Sequence, residues 1–187
     1  MKSLGKKIEE MLVQRYEGWE GARQFEGTGD RLERMIKELC WTPEHIEKEL
    51  DSYFVATFED SYNEMLVSGP TSIWTLCPHH LLPCHFDVLI GYIPIGKVLG
   101  LSKFSRIAIA MARRPIMQEQ YSRELADIFM DKLSPEGVGV YVIGIHGCMM
   151  CRGVGQEVKV STSVLKGSFM DDPTVRKEFY DICKNGR

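Results

Sequence analysis

The sequence predicts an α+β protein in which a helical N-terminal region precedes a largely antiparallel sheet covered on one face by helices. Two observations carry this prediction. Apolar residues recur at helical spacing through the first third of the chain, and from about Met65 they give way to short extended runs. Those runs arrive as two strands, two helices, two strands and a helix, an order that favours hairpins over parallel crossovers. The expected division is a helical region over 1–63 and a mixed unit over 64–187.

Each element follows from local pattern. Leu4, Ile8, Met11 and Leu12 mark a first amphipathic helix, and Leu32, Met35, Ile36 and Leu39 a second. Between them, Gly27-Thr28-Gly29-Asp30 supplies two glycines and two capping residue types, so it reads as the loop that starts the second helix. Thr42-Pro43 opens a third, with proline at the first helical position and Ile46, Leu50 and Phe54 on one stripe. Gly69-Pro70 is a break, followed by the extended run Ile73–Leu76; a further run covers Val88–Ile93. Ser102 can cap a helix carrying Phe104, Ile107, Ala108 and Met111, and Pro115 opens the next, with Tyr121, Leu125, Ile128 and Phe129 inside. Val138–His146 and Val158–Leu165 read as strands, and a last helix runs from Pro173 to Cys183.

Composition narrows the function classes. The 187 residues are 44% hydrophobic and 26% charged, which suits one folded domain or a domain with a helical arm. A net charge of −3 gives no global attraction to nucleic acid or an anionic membrane, so an anion site has to come from local clustering. The first twenty residues lack the apolar run of a signal peptide and no later run is long enough to span a bilayer, so a cytoplasmic protein is expected. In that reducing setting the six cysteines are buried thiols, metal ligands or reactive groups rather than disulfides. Cys40, Cys84 and Cys183 fit the first class.

Cys77 and His80 stand three apart at a strand end, where a backbone turn lets both converge on one ion. Residues two apart on a strand share a face, which lets Cys148 ligate while His146 stands beside the metal. Three protein ligands would leave a position for water, the arrangement of a catalytic zinc. The competing reading is a closed structural site in which Cys151 supplies a fourth ligand; on a regular strand residues 148 and 151 point to opposite faces, which disfavours it. His79 and His146 become candidate proton carriers only in this company. Gly100 precedes the helix that Ser102 begins, so free backbone N–H groups face any phosphate there. Lys103 and Arg106 share a face of that helix, and Arg152 follows Cys148 by four residues. Glu119 sits early in the next helix, where the dipole favours an acid irrespective of function.

With these residues in place the chain resembles GTP cyclohydrolase I. The resemblance runs from about Leu76 to Phe169 and is carried by Cys77-x-His79-His80-Leu81-Leu82-Pro83, Gly91-Tyr92-Ile93-Pro94, Val98-Leu99-Gly100-Leu101-Ser102-Lys103, Arg106-Ile107, Ala112-Arg113-Arg114-Pro115, Gln118-Glu119 and His146-x-Cys148-Met149 with Arg152-Gly153-Val154. A fainter echo lies in Thr28–Met35. The resemblance implies a tunnelling fold, assembled into a ring-shaped homodecamer with sites at subunit interfaces. It implies Zn2+ held by Cys77, His80 and Cys148, His146 protonating the purine ring, and His79 serving the later ring opening and rearrangement. Glu119, with Gln118 beside it, would hold the guanine edge. Lys103, Arg106 and Arg152 would bind the triphosphate, Ser102 the ribose or phosphate region, and Arg31 and Arg34 would add charge from a neighbouring subunit. The implied reaction is zinc-dependent conversion of GTP to 7,8-dihydroneopterin triphosphate and formate. Two alternatives stay open: a divergent relative acting on another purine nucleotide, and a non-catalytic protein with a structural zinc. Pro78, Gly29 and Cys151 depart from the family pattern.

Overall fold

The structure, a computed structural model, describes residues 2–185. It divides into two compact units, 1–41 and 42–187. This boundary differs from the expected one at 63/64 because the third helix joins the second unit, burying Ile46, Leu50 and Phe54 there.

The N-terminal unit pairs α1 (Leu4–Arg15) with α2 (Thr28–Leu39) across a 3-10 turn at Glu20–Phe25. The two helices meet at Gly5 and Gly29, where a Cβ on Gly5 would stand 2.3 Å from the Gly29 carbonyl oxygen. Glutamates fasten the crossing: Gly29 N–H donates to Glu9 at 2.8 Å and Gly5 N–H to Glu33 at 3.1 Å. Close approach of two backbones therefore explains the glycine at position 29.

The second unit begins with α3 (Pro43–Phe54), whose Thr42 cap accepts from the His45 N–H as the Thr-Pro signal implies. A small antiparallel pair, β1 (Thr57–Glu59) with β4 (Lys97–Leu99), escapes sequence reading because neither strand exceeds three residues. The main sheet is antiparallel in the order β2 (Leu66–Leu76), β3 (Pro83–Ile93), β5 (Gly137–His146) and β6 (Lys159–Gly167). β2 runs through the expected break at Gly69-Pro70, which the sheet absorbs as a register shift between Ser68 and Thr71.

One face of the sheet buries Phe86, Val88, Ile90, Tyr92, Val138, Val140 and Val142 beneath α4 (Leu101–Met111) and α5 (Gln118–Leu133), the helical layer the sequence predicts. Aromatic contacts Phe86–Tyr121 and Tyr92–Phe104 knit the layers at 5.7 and 5.5 Å between ring centroids. Both helices start later or differently than expected. Gly100, not Ser102, occupies the N-cap of α4, and Ser102 lies exposed in the first turn. Pro115 does not open α5; it bridges to Leu76, and the helix begins at Gln118 after Met117.

The opposite face carries a second, shorter cover. α7 (Ser168–Asp171) and α8 (Pro173–Asn185) set Phe169, Phe179 and Cys183 against Leu89 and Ile93. Gly91 and Gly139 make room for the two phenylalanine rings, since a Cβ on Gly139 would come within 2.6 Å of Phe169. This cover lies at the Ile93–Gly137 end of the strands, away from the end where the chemistry-bearing residues collect. Among the described residues, no helix is long and apolar enough to cross a membrane.

Candidate metal centre and surrounding site

The sheet register brings the site together. β2 and β5 flank β3 and both run antiparallel to it, so their C-terminal ends, Leu76 and His146, emerge beside Pro83 and Cys84. The chain leaving β2 turns tightly: Leu81 N–H donates to the Cys77 carbonyl at 2.8 Å and Cys77 N–H to the Leu82 carbonyl at 2.9 Å. Leu81 takes a left-handed conformation (φ 53°), uncommon for a residue with a side chain, to close that turn. Cys77 and His80 thus face one another, with Cys77 Sγ 3.7 Å from His80 Nδ1.

Cys148 arrives by a different route than strand alternation. β5 stops at His146, and Gly147 opens the short helix α6 (Gly147–Met150), so Cys148 sits on a helical turn. Gly147 permits the approach, because a Cβ there would lie 2.6 Å from the Pro83 carbonyl oxygen. The result is a group of three, Cys77, His80 and Cys148, with ligand atoms all within 4.8 Å of one another. Tetrahedral zinc ligation, at about 2.3 Å to sulfur and about 2.0 Å to nitrogen, needs ligand atoms roughly 3.5–3.8 Å apart, so this donor set fits Zn2+. Burial, reinforced by the neighbouring Cys77, raises the Cys148 thiol above its ordinary range. Cys84, buried just behind, is pushed up to about 12, chiefly by burial and then by Cys148 and Cys77, which keeps it a thiol.

The strand argument against Cys151 therefore falls, since residues 148 and 151 lie on a helical turn. Cys151 is nevertheless outside the converging group: it is exposed and its thiol donates to the Gly147 carbonyl at 2.9 Å. Cys151→Ala is expected to bind as much added zinc as the unaltered protein, read by elemental analysis after dialysis; stoichiometric loss relative to it would make Cys151 a ligand and the site a closed one.

The remaining candidates are spread over several elements. His146 is half-buried against Phe86, with 5.7 Å between ring centroids, and its Nε2 lies 2.9 Å from Gln118 Oε1. Burial lowers its pKa, and the carboxylate of exposed Glu119 pulls the other way, so Glu119 and His146 are electrostatic neighbours. His79 is exposed, with its ring 6.2 Å from that of His80. The Arg152 guanidinium lies 2.6 Å from His80 Nε2, and Nδ1 is the ring atom facing Cys77. Lys103 places its ammonium 5.3 Å from the centre of the Tyr53 ring, and Arg106 is close enough to oppose the upward shift that a hydrogen bond to Glu49 imposes on Tyr53. Tyr53 lay outside every sequence motif, and only the packing of α3 beside α4 reveals it. Arg31 and Arg34 belong to the N-terminal unit, where both are exposed on α2 and Arg31 donates to the Glu26 carbonyl at 2.6 Å. Gln118, expected beside Glu119 at the substrate, is buried in the sheet-facing layer.

Comparison with known proteins gives the following similarities. The model of the GTP cyclohydrolase I family matches residues 6–184, well beyond the stretch in which the motifs were legible. GTP cyclohydrolase 1 of Hydrogenobaculum sp. (strain Y04AAS1) is 38% identical over 176 residues, covering 88% of this chain and 95% of that protein. That of Hahella chejuensis is 42% identical over 137 residues, 71% of each chain. The Drosophila melanogaster protein of the same name is 36% identical over 155 residues, or 82% of this chain; the match spans about half, 48%, of the fly protein's length.

Proposed function

Because the chain belongs to the GTP cyclohydrolase I family, we propose that it is a zinc-dependent enzyme that converts GTP to 7,8-dihydroneopterin triphosphate and formate. The observation that carries the reading is the convergence of Cys77, His80 and Cys148 beside a half-buried histidine and an exposed glutamate. A zinc ion held by the three ligands would supply Lewis acidity that activates water at neutral pH.

The chain's own groups account for the rest. Glu119, exposed at the start of α5, accepts from the N–H donors on the guanine edge and so turns the purine toward the metal centre. His146 takes up the proton that the adding water loses and passes it to the purine ring as water adds at C8. His79, exposed beside the ligand pair, handles the later protons as the ring opens, C8 departs as formate and the ribose carbons rearrange into the pterin ring. Lys103, Arg106 and Arg152 neutralise the triphosphate, with Ser102 and the open N-terminal turn of α4 at the ribose and phosphate end. A homo-oligomer, in which Arg31 and Arg34 reach a neighbour's phosphates, belongs to the same proposal.

The test is incubation of purified, zinc-loaded protein with GTP, following formate and the pterin by mass spectrometry against a chelated control. Release of both products that the chelator abolishes is the expected result. Tightly bound zinc with no turnover of GTP would overturn it and point to another nucleotide.

A further inference from the structure

Gln118 and Glu119 are adjacent in sequence and opposite in environment. Glu119 is exposed, whereas Gln118 is 1% exposed and its amide is fully engaged. Gln118 Nε2 lies 3.0 Å from the Val160 carbonyl, 3.2 Å from the Val142 carbonyl and 3.2 Å from Thr162 Oγ1, while Oε1 faces His146 Nε2 at 2.9 Å. Elementary hydrogen-bond chemistry fixes this orientation. Carbonyl oxygens only accept, so the edge turned to Val142 and Val160 is the NH2 group, and the edge turned to His146 is the oxygen. An amide oxygen has no proton to give, so His146 Nε2 is the donor, and the neutral ring keeps its lone pair on Nδ1.

The hydroxyls behind the amide close the pattern. Ser122 Oγ donates to the Gln118 backbone carbonyl at 2.8 Å, so the proton in its 2.7 Å contact with Thr162 comes from Thr162. Thr162 Oγ1 can then receive the Gln118 N–H. Gly144, on β5 between Val142 and His146, supplies the space. A Cβ there would stand 2.0 Å from Gln118 Oε1 and 3.0 Å from His146 Nε2.

We propose that Gln118 is a positioning residue and not a guanine ligand: through one hydrogen bond passing over Gly144 it fixes the His146 ring and its tautomer, making Nδ1 the nitrogen that exchanges protons with substrate. The catalytic meaning rests on the cyclohydrolase reading; the tautomer does not. Holding one tautomer matters because a ring free to flip or retautomerise presents the wrong nitrogen for part of the time, and that lowers turnover without weakening substrate binding.

Long-range proton–nitrogen NMR on the zinc-loaded, imidazole-labelled protein tests the first half directly. The expected spectrum of His146 has a protonated Nε2 and an unprotonated Nδ1; the reverse assignment overturns the proposal. Two variants test the second half. Gln118→Met removes the bond at similar volume, and Gly144→Ala keeps every polar group but pushes the amide aside, so it serves if the first fails to fold. Each is expected to keep zinc, lose the single-tautomer spectrum and lower kcat by roughly 10- to 100-fold, as loss of a histidine-orienting partner does elsewhere, with KM for GTP nearly unchanged. A rise in KM at constant kcat would make Gln118 a substrate ligand, and wild-type kcat in both variants would remove its role. If the wild-type protein proves inactive on GTP, the functional reading fails while the NMR assignment still decides this one.

Discussion

Cys148→Ala is expected to strip the protein of zinc and reduce formate release to the level of the chelated control. Cys148 is one of three candidate ligands whose atoms lie within 4.8 Å of each other, so its loss leaves only the Cys77 and His80 pair. Zinc-finger-like sites bind with roughly 10–16 kcal/mol, so sharing this among four positions gives roughly 3 kcal/mol per ligand, or about 100-fold or more in metal affinity. Elemental analysis after dialysis reads the loss. Circular dichroism should show the fold intact, because Cys148 stands on the short α6 turn and contributes nothing to the apolar layers. Retention of stoichiometric zinc would remove Cys148 from the ligand set. Because thiols must ionise to bind the metal and release protons in doing so, zinc affinity in the wild-type protein should fall as pH is lowered.

His146→Ala separates chemistry from binding. A positioned general acid contributes on the order of 10²–10⁴ in rate, so kcat should fall by that amount while zinc content and GTP affinity persist. The substitution also orphans Gln118 Oε1, a buried acceptor, which costs about 1–3 kcal/mol of stability; urea unfolding measured alongside turnover keeps the two effects apart. Undiminished formate release from a folded, zinc-replete variant would dismiss His146 from the mechanism.

The residues that sequence reading located are those whose chemistry is local. Cys77 and His80 share one turn, and their spacing already implied convergence; Thr42-Pro43 announced α3 because cap and first-turn proline are both short-range signals. Apart from the start of α4, where Gly100 and not Ser102 is the cap, the misreadings involve partners distant in sequence. Strand alternation misplaces Cys148 because nothing in His146-Gly147-Cys148 reveals that Gly147 must pass against Pro83, more than sixty positions earlier. Pro115 looked like a helix start until β2 claimed it through Leu76. The inward commitment of Gln118 is likewise illegible in sequence, because it depends on carbonyls of β5 and β6 that only the folded register supplies.

The two aromatic rings from the C-terminal helices also have a bearing on motion. At the Ile93–Gly137 end, the sheet is sandwiched on both faces, by α4 and α5 on one side and by Phe169 and Phe179 on the other, while at the Cys84–His146 end Trp74 is left 61% exposed on the uncovered face. Opening of strand hydrogen bonds is resisted by what is packed over them, so protection from solvent exchange should fall along each strand and not across the sheet. On that expectation the chain behaves like a blade clamped at one end, with its compliance concentrated at the end where Cys77, His80 and Cys148 converge.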